Sequence, residues 1–284
     1  MNDPDIKIGI CNEIFKEWNN FEKTVKFIKD IGYDGIEIAP FTFADHVTDI
    51  STEIRKWIRD TAEKVGVEVI GIHWVFVGPK NVYLTHPDSN IRKYTAEYLK
   101  NLVNFCADIG GKVIVFGSPK QRNIMRDVTY NQALEYAKEV FSYALPVCEN
   151  RDVTICLEQL THWETNFCHT VEEAVELIEA INHPNFRLIL DTKAMAFLQE
   201  PRDVIIRKYG KYLRHYHAND DNLLGPGMGK VDFVPIIRAL YDIGYKGYIS
   251  VEVFKFELGP EKIATESINY LKKVFAISKN TQNL

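Results

Sequence analysis

The chain has 284 residues, 46% of them hydrophobic and 26% charged, with a formal net charge of −5. These proportions are ordinary for a globular protein, and the length suits one (β/α)8 barrel of about 250 residues. The acidic balance and the lack of any Lys/Arg run argue against nucleic acid or an anionic membrane surface as the main partner.

The first short β-branched run is Lys7 to Cys11. A helical pattern follows from Phe21 to Ile31, with Val25, Ile28 and Ile31 at helical spacing. It ends in the turn signal Ile31-Gly32-Tyr33-Asp34-Gly35, and strands are expected at Gly35 to Ala39 and Glu68 to His73. Asp88 to Ile109 places Tyr94, Tyr98, Leu102, Phe105 and Ile109 on one helical face, and Gly110-Gly111 closes it before a strand at Lys112 to Phe116. A fifth strand reads from Val153 to Gln159. Thr170, with Glu173 three residues on, forms a capping-box signal for a helix over Val171 to Ile181. Strands at Phe186 to Asp191 and Leu213 to His217 come next. Then follow a helix over Asp232 to Ile243, a second Gly-rich turn, a strand at Tyr248 to Val253, and a helix over Glu261 to Ala276.

The eight expected strands are mostly continuous apolar runs, as strands buried on both faces of a parallel sheet read. Eight β/α units without a linker or low-complexity segment imply α/β architecture, a single (β/α)8 TIM barrel over residues 1–284, with Lys279 to Leu284 as a loose tail. The other arrangement considered is a doubly wound open sheet. It loses ground because no GxGxxG follows the first strand. The five cysteines, Cys11, Cys106, Cys148, Cys156 and Cys168, are odd in number and form no CxxC pair, so they read as reduced buried thiols of a cytoplasmic protein. The start, Met1-Asn2-Asp3-Pro4-Asp5, does not read as a signal peptide, and no apolar run approaches the roughly 20 residues of a membrane span.

Chemistry-bearing residues fall at the ends of the last four strands: Glu158 in Ile155-Cys156-Leu157-Glu158, Asp191 in Leu188-Ile189-Leu190-Asp191, His217 in His215-Tyr216-His217, and Glu252 in Ser250-Val251-Glu252. Functional residues of such barrels sit at the C-terminal ends of strands. A carboxylate buried there costs several kcal/mol unless it is paired or binds a cation. Four such groups on successive strands point to one shared ion, the bland reading being four separate ion pairs. Three carboxylates and an imidazole suit Mn2+, Mg2+ or Co2+ better than a structural Zn2+, and leave about two positions of an octahedral ion for substrate oxygens.

On these residues the sequence resembles the xylose isomerase-like TIM barrels, and within them the sugar isomerases and epimerases similar to D-tagatose and D-psicose (allulose) 3-epimerases. The resemblance rests on Leu157-Glu158 through Trp163-Glu164, Thr170-Val171-Glu172-Glu173, Leu190-Asp191-Thr192, His215-Tyr216-His217, Gly225-Pro226-Gly227-Met228-Gly229 and Val251-Glu252-Val253-Phe254. The four ligand positions are spaced by 33, 26 and 35 residues, which the resemblance shares. It implies that Glu158 and Glu252 bind metal and act as acid and base, that Asp191 and His217 are pure ligands, and that Glu164 contacts substrate. It also implies one divalent ion, Mn2+ foremost, with Mg2+, Co2+ or Zn2+ as alternatives, and a homo-oligomer, dimer or tetramer. The expected chemistry is proton removal beside a carbonyl of a sugar or keto-sugar through a metal-stabilised enediolate.

Two positions depart from the pattern. Ala194 stands three residues after Asp191, where the family often has histidine, and Leu223 stands six after His217, where the ketose epimerases have arginine. These departures keep a second reading open, a lyase or dehydratase acting on an inosose or a 3-oxo-glycoside. Lys193 is the candidate to replace the missing substrate contact, and His73, Glu37 and Trp74 are further substrate-binding candidates. A phosphodiesterase of the endonuclease IV kind fits poorly, since position 194 is Ala and no Asp-x-His pair follows His217. A non-catalytic sugar-binding barrel fits poorly with an intact ligand set. The glycine-rich stretch at 225–229 reads as a tight turn shaping the pocket rather than a phosphate loop.

Overall fold

The structure is a computed structural model that describes residues 6–280. Eight parallel strands close into a barrel in chain order: β1 (Lys7–Cys11), β2 (Gly35–Ile38), β3 (Glu68–Ile72), β4 (Val113–Phe116), β5 (Thr154–Glu158), β6 (Phe186–Asp191), β7 (Leu213–Ala218) and β8 (Tyr248–Val251). The helices are α1 (Phe21–Ile31), α2 (Thr52–Val65), α3 (Ser89–Asp108), α4 (Tyr130–Arg151), α5 (Val171–Ile181), α6 (Thr192–Met195), α7 (Arg202–Tyr209), α8 (Phe233–Asp242) and α9 (Pro260–Asn280). All eight expected strands are present within two residues of their expected ends. Among the described residues, no helix is long and apolar enough to cross a membrane.

The local signals work as the chemistry requires. The Thr170 side chain accepts from Glu173 N at 3.2 Å, and Glu173 Oε2 accepts back from Thr170 N at 3.3 Å, so two orphan amides at the start of α5 are satisfied reciprocally. Gly32 ends α1 with φ of 101°, a conformation that strains any residue with a Cβ. Its amide and that of Tyr33 both return to Ile28 O, at 3.1 and 2.9 Å. Helices α2, α4, α6 and α7 are additional to those expected. In α4 the helix continues through Pro146, and in α2 only Ile58 and Ala62 are buried while the large apolar residues Ile54 and Trp57 are exposed, so the apolar pattern is thin. The loose tail expected at 279–284 lies outside the described residues except for Lys279 and Asn280, which belong to α9; Met1 to Asp5 also lie outside them.

By density of internal contacts the chain divides into two units, a division that cuts through β2, α2, β3 and β6. The first comprises Met1–Glu37, Thr61–Glu68 and Ile189–Leu284. In it β1 pairs with β2 (Cys11 opposite Glu37) and with β8 (Gly9 opposite Ser250), and β7 pairs with β8. Its core includes Ile10, Val25, Ile28, Ile237, Leu240, Ile263 and Leu271, all fully buried, and the Tyr33 hydroxyl donates to Ala264 O at 2.8 Å. The second comprises Ile38–Asp60 and Val69–Leu188. There β3 pairs with β4 and β4 with β5, and Phe76, Phe116, Phe141 and Phe186 form a chain of ring contacts with centroids 4.7–5.0 Å apart. That spacing is in the range where aromatic pairs add to simple area burial.

Candidate metal centre and active site

Glu158 is the last residue of β5, Asp191 the last of β6, His217 the penultimate residue of β7, and Glu252 directly follows β8. All four are buried, with exposures of 6, 0, 0 and 4%. Each offers a ligand atom, and these atoms all lie within 4.8 Å of one another. The four residues singled out from strand ends are thus brought together at one place.

The side chains of Asp191, His217 and Glu252 are held, and Glu158 is held through its backbone. Asp191 Oδ1 caps α6 by accepting from Ala194 N at 2.7 Å, while Oδ2 accepts from Asn219 Nδ2 at 2.5 Å. Asn219 also fixes the next turn, its Oδ1 accepting from Lys193 N at 2.8 Å. His217 Nδ1 stands 3.0 Å from Glu252 Oε2 and its Nε2 stands 3.1 Å from Glu37 Oε2. Glu37 Oε1 is 2.5 Å from His215 Nε2. In the other unit, Arg122 is fully buried and its Nη1 donates to Glu158 O at 2.7 Å; its Nη2 reaches Cys168 O at 3.4 Å, so it ties together both ends of the segment after β5.

The electrostatics follow from burial and crowding. Burial raises the Asp191 pKa, Lys193 opposes that rise, and Glu252 adds to it. Burial disfavours the His217 cation, yet Glu252 and then Glu37 outweigh it and hold its pKa well above the usual value. Burial would likewise raise Glu37, but His215 and His217 prevail and keep it well below the ordinary carboxylate range. Three acidic side chains and an imidazole pressed together out of water form a hard donor set that a divalent cation would neutralise, and the residues present fit such an ion.

The remaining expected site residues are placed differently. Lys193 is 7% exposed, and its ammonium lies 4.3 Å from the Phe254 ring centroid. Glu164 turns back on its own loop, Oε2 accepting from Thr161 N at 3.1 Å and from Thr161 Oγ1 at 2.8 Å. His73 is fully buried just after β3, with its amide on Ile38 O. Trp74, at φ of 51°, is stacked on Phe41 at 5.7 Å. Glu164, His73, Trp74, Glu37 and Lys193 are not members of the four-residue donor cluster. The glycine-rich turn is tied to Asp220, whose carboxylate accepts from Gly229 N and Lys230 N at 3.0 Å each, so those amides serve the turn.

Sequence reading did not single out Arg122 or Asn219, and took His215 only as part of the His215-Tyr216-His217 motif. Asn219 had a signal, since it lies two residues past His217 on the same strand direction and faces the same way. Arg122 had none, because a loop arginine reads as a solvated charge.

Comparison with known proteins agrees with this geometry. The model of the xylose isomerase-like TIM barrel family matches residues 25–274. A D-psicose 3-epimerase of Ruminiclostridium cellulolyticum is 28% identical over 249 residues, covering 84% of this chain and 80% of that protein. A fructoselysine 3-epimerase of Shigella flexneri is 26% identical over 242 residues, covering 82% of this chain and 84% of that protein. A solved L-ribulose 3-epimerase superposes with a TM-score of 0.84 at 19% identity, covering 98% of this chain and 97% of the other, a likeness of fold. With a closed eight-stranded parallel barrel and a family match over most of its length, the chain belongs to the xylose isomerase-like TIM barrel family.

Proposed function

We propose that the chain is a divalent-metal-dependent epimerase of a sugar or keto-sugar, acting on a carbon beside a carbonyl, and that residues 1–284 form one barrel domain for that purpose. The observation that carries the reading is the convergence of Glu158, Asp191, His217 and Glu252 within 4.8 Å. The curated relatives support an enzyme of the isomerase or epimerase kind, and favour rearrangement over the elimination a lyase would perform.

In this reading the four residues hold the ion, which when bound supplies electrophilic stabilisation of negative charge developing on substrate oxygens. Glu158 and Glu252 come from separate strands, so one carboxylate removes the carbon-bound proton and the other returns it, inverting the centre. Asp191 and His217, both fully buried and tied to Asn219 and Glu37, hold position rather than exchange protons with substrate. Lys193, two residues past Asp191 and nearly buried, is the substrate-contacting cation, with Glu164, His73 and Trp74 assigned to the sugar-binding wall. Manganese as the ion, a homo-oligomeric assembly and a cytoplasmic setting belong to the same reading.

The test is metal analysis of purified protein, followed by assay of metal-free and reloaded protein on D-fructose, D-tagatose, L-ribulose and fructoselysine. Equal-mass products formed only by the loaded protein are expected. Product that has lost water or an aglycone would replace the epimerase with a lyase, and a protein that binds no divalent ion would remove the reading altogether.

A further inference from the structure

We propose that Glu37 is a positioning residue for the metal centre: clamped by His215, it engages Nε2 of His217 and leaves Nδ1 of that ring turned toward Glu252 as the ligating nitrogen. The inference rests on the metal-centre reading above.

Glu37 lies on β2, opposite Cys11 on β1, and is fully buried. Its two oxygens are both engaged, Oε1 with His215 Nε2 at 2.5 Å and Oε2 with His217 Nε2 at 3.1 Å. The two histidines are two residues apart on β7, so they project from the same side of the strand. Their rings meet edge to face, 5.2 Å between centroids and 80° between planes. One carboxylate thus bridges two imidazoles. With both oxygens taken by histidines, Glu37 acts on the ring of His217 rather than on a sugar.

The second ring edge of His217 decides the role. Nδ1 stands 3.0 Å from Glu252 Oε2, inside the donor cluster, whereas Nε2 faces Glu37, which is outside that cluster. A neutral imidazole carries one proton and one lone pair, and an ionised carboxylate can only accept. With Glu37 on the Nε2 edge, the proton belongs on Nε2 and the lone pair on Nδ1, toward the cluster. A carboxylate behind a ligating histidine fixes the ring's orientation and makes it a better donor. His215, which is not in the cluster, serves by holding the other carboxylate oxygen.

The test uses metal-free protein titrated with Mn2+ by calorimetry, as parent and as Glu37→Gln, with the melting transition of each metal-free form recorded. Glutamine keeps the volume, but one of its two termini is a donor, so it cannot accept from both histidines. The expected result is a loss of Mn2+ affinity of about 10–100-fold with the metal-free transition preserved. A parent that binds Mn2+ alongside a variant within twofold of it overturns the role of Glu37 alone, as does a variant with a lowered melting temperature but unchanged affinity. A parent that binds no divalent ion overturns the metal centre and this role with it. Should the variant fail to fold, long-range proton–nitrogen spectra of the Zn2+-loaded parent decide. A proton on Nε2 of His217 is expected, and a proton on Nδ1 overturns the assignment.

Discussion

A Cβ placed on Gly117 would lie 2.3 Å from Oε2 of Glu158. Phe116 on β4 pairs with Leu157 on β5, so the next residues of each strand are neighbours, and the bare glycine leaves the space the glutamate occupies. The contact is with the tip of a flexible side chain, so Gly117→Ala is expected to fold normally while displacing the carboxylate. A misplacement of about 1 Å costs about 100-fold in turnover. The checks are kcat and the melting temperature; an unchanged kcat would mean that the working position of Glu158 is elsewhere.

Glu158→Gln and Glu252→Gln keep shape but lose the ability to take and hold a proton. Each is expected to lower turnover by at least about 100-fold with the circular dichroism spectrum retained. Near-normal activity in either variant would remove that residue from the proton transfer.

Arg122 contributes through the backbone. Fully buried, it donates to Glu158 O at 2.7 Å and also reaches Cys168 O. Arg122→Met would strand the Glu158 carbonyl without this donor and loosen the segment between the two residues. The expected loss is about 2–3 kcal/mol in urea unfolding, with reduced kcat in the protein that remains folded. A variant as stable and active as the parent would show that the segment is held by other contacts.

The barrel was legible in the sequence because its strands are short, apolar and evenly interrupted by turn residues such as Gly32 and Gly110. The four-residue donor cluster was legible for the same reason: Glu158, Asp191, His217 and Glu252 are charged or polar groups at the ends of apolar runs, where burial without a partner is expensive. What did not show is what depends on pairing across distance. Glu37 reads as a pocket acid at the end of β2, and its partners His215 and His217 lie 178 and 180 positions away. Rotamer choice did not show either: the Glu164 carboxylate accepts from Thr161 in its own loop, which residue order does not encode.

The cysteines lend themselves to a chemical test. All five are buried. Burial pushes the Cys148 and Cys168 thiols each up to about 12, and lifts Cys11 well above the usual value. A raised thiol pKa means less thiolate, the reactive form, at any pH below it. Native protein at pH 8 is therefore expected to leave a disulfide reagent unreacted, while unfolded protein consumes five equivalents. Rapid labelling of the native form would contradict the packing around these side chains.

The pairing of β1 with β8, Lys7 opposite Tyr248, bears on how the protein is made. The neighbour for the second edge of β1 leaves the ribosome only about 240 residues after it, Lys7 pairing with Tyr248. Throughout that interval the nascent polypeptide presents an unsatisfied hydrogen-bonding margin, with the acid on β2 waiting for histidines not yet synthesised. Such contacts between distant parts of the chain fold slowly and leave intermediates prone to clumping, so recombinant yield should respond to chaperone supply and growth temperature.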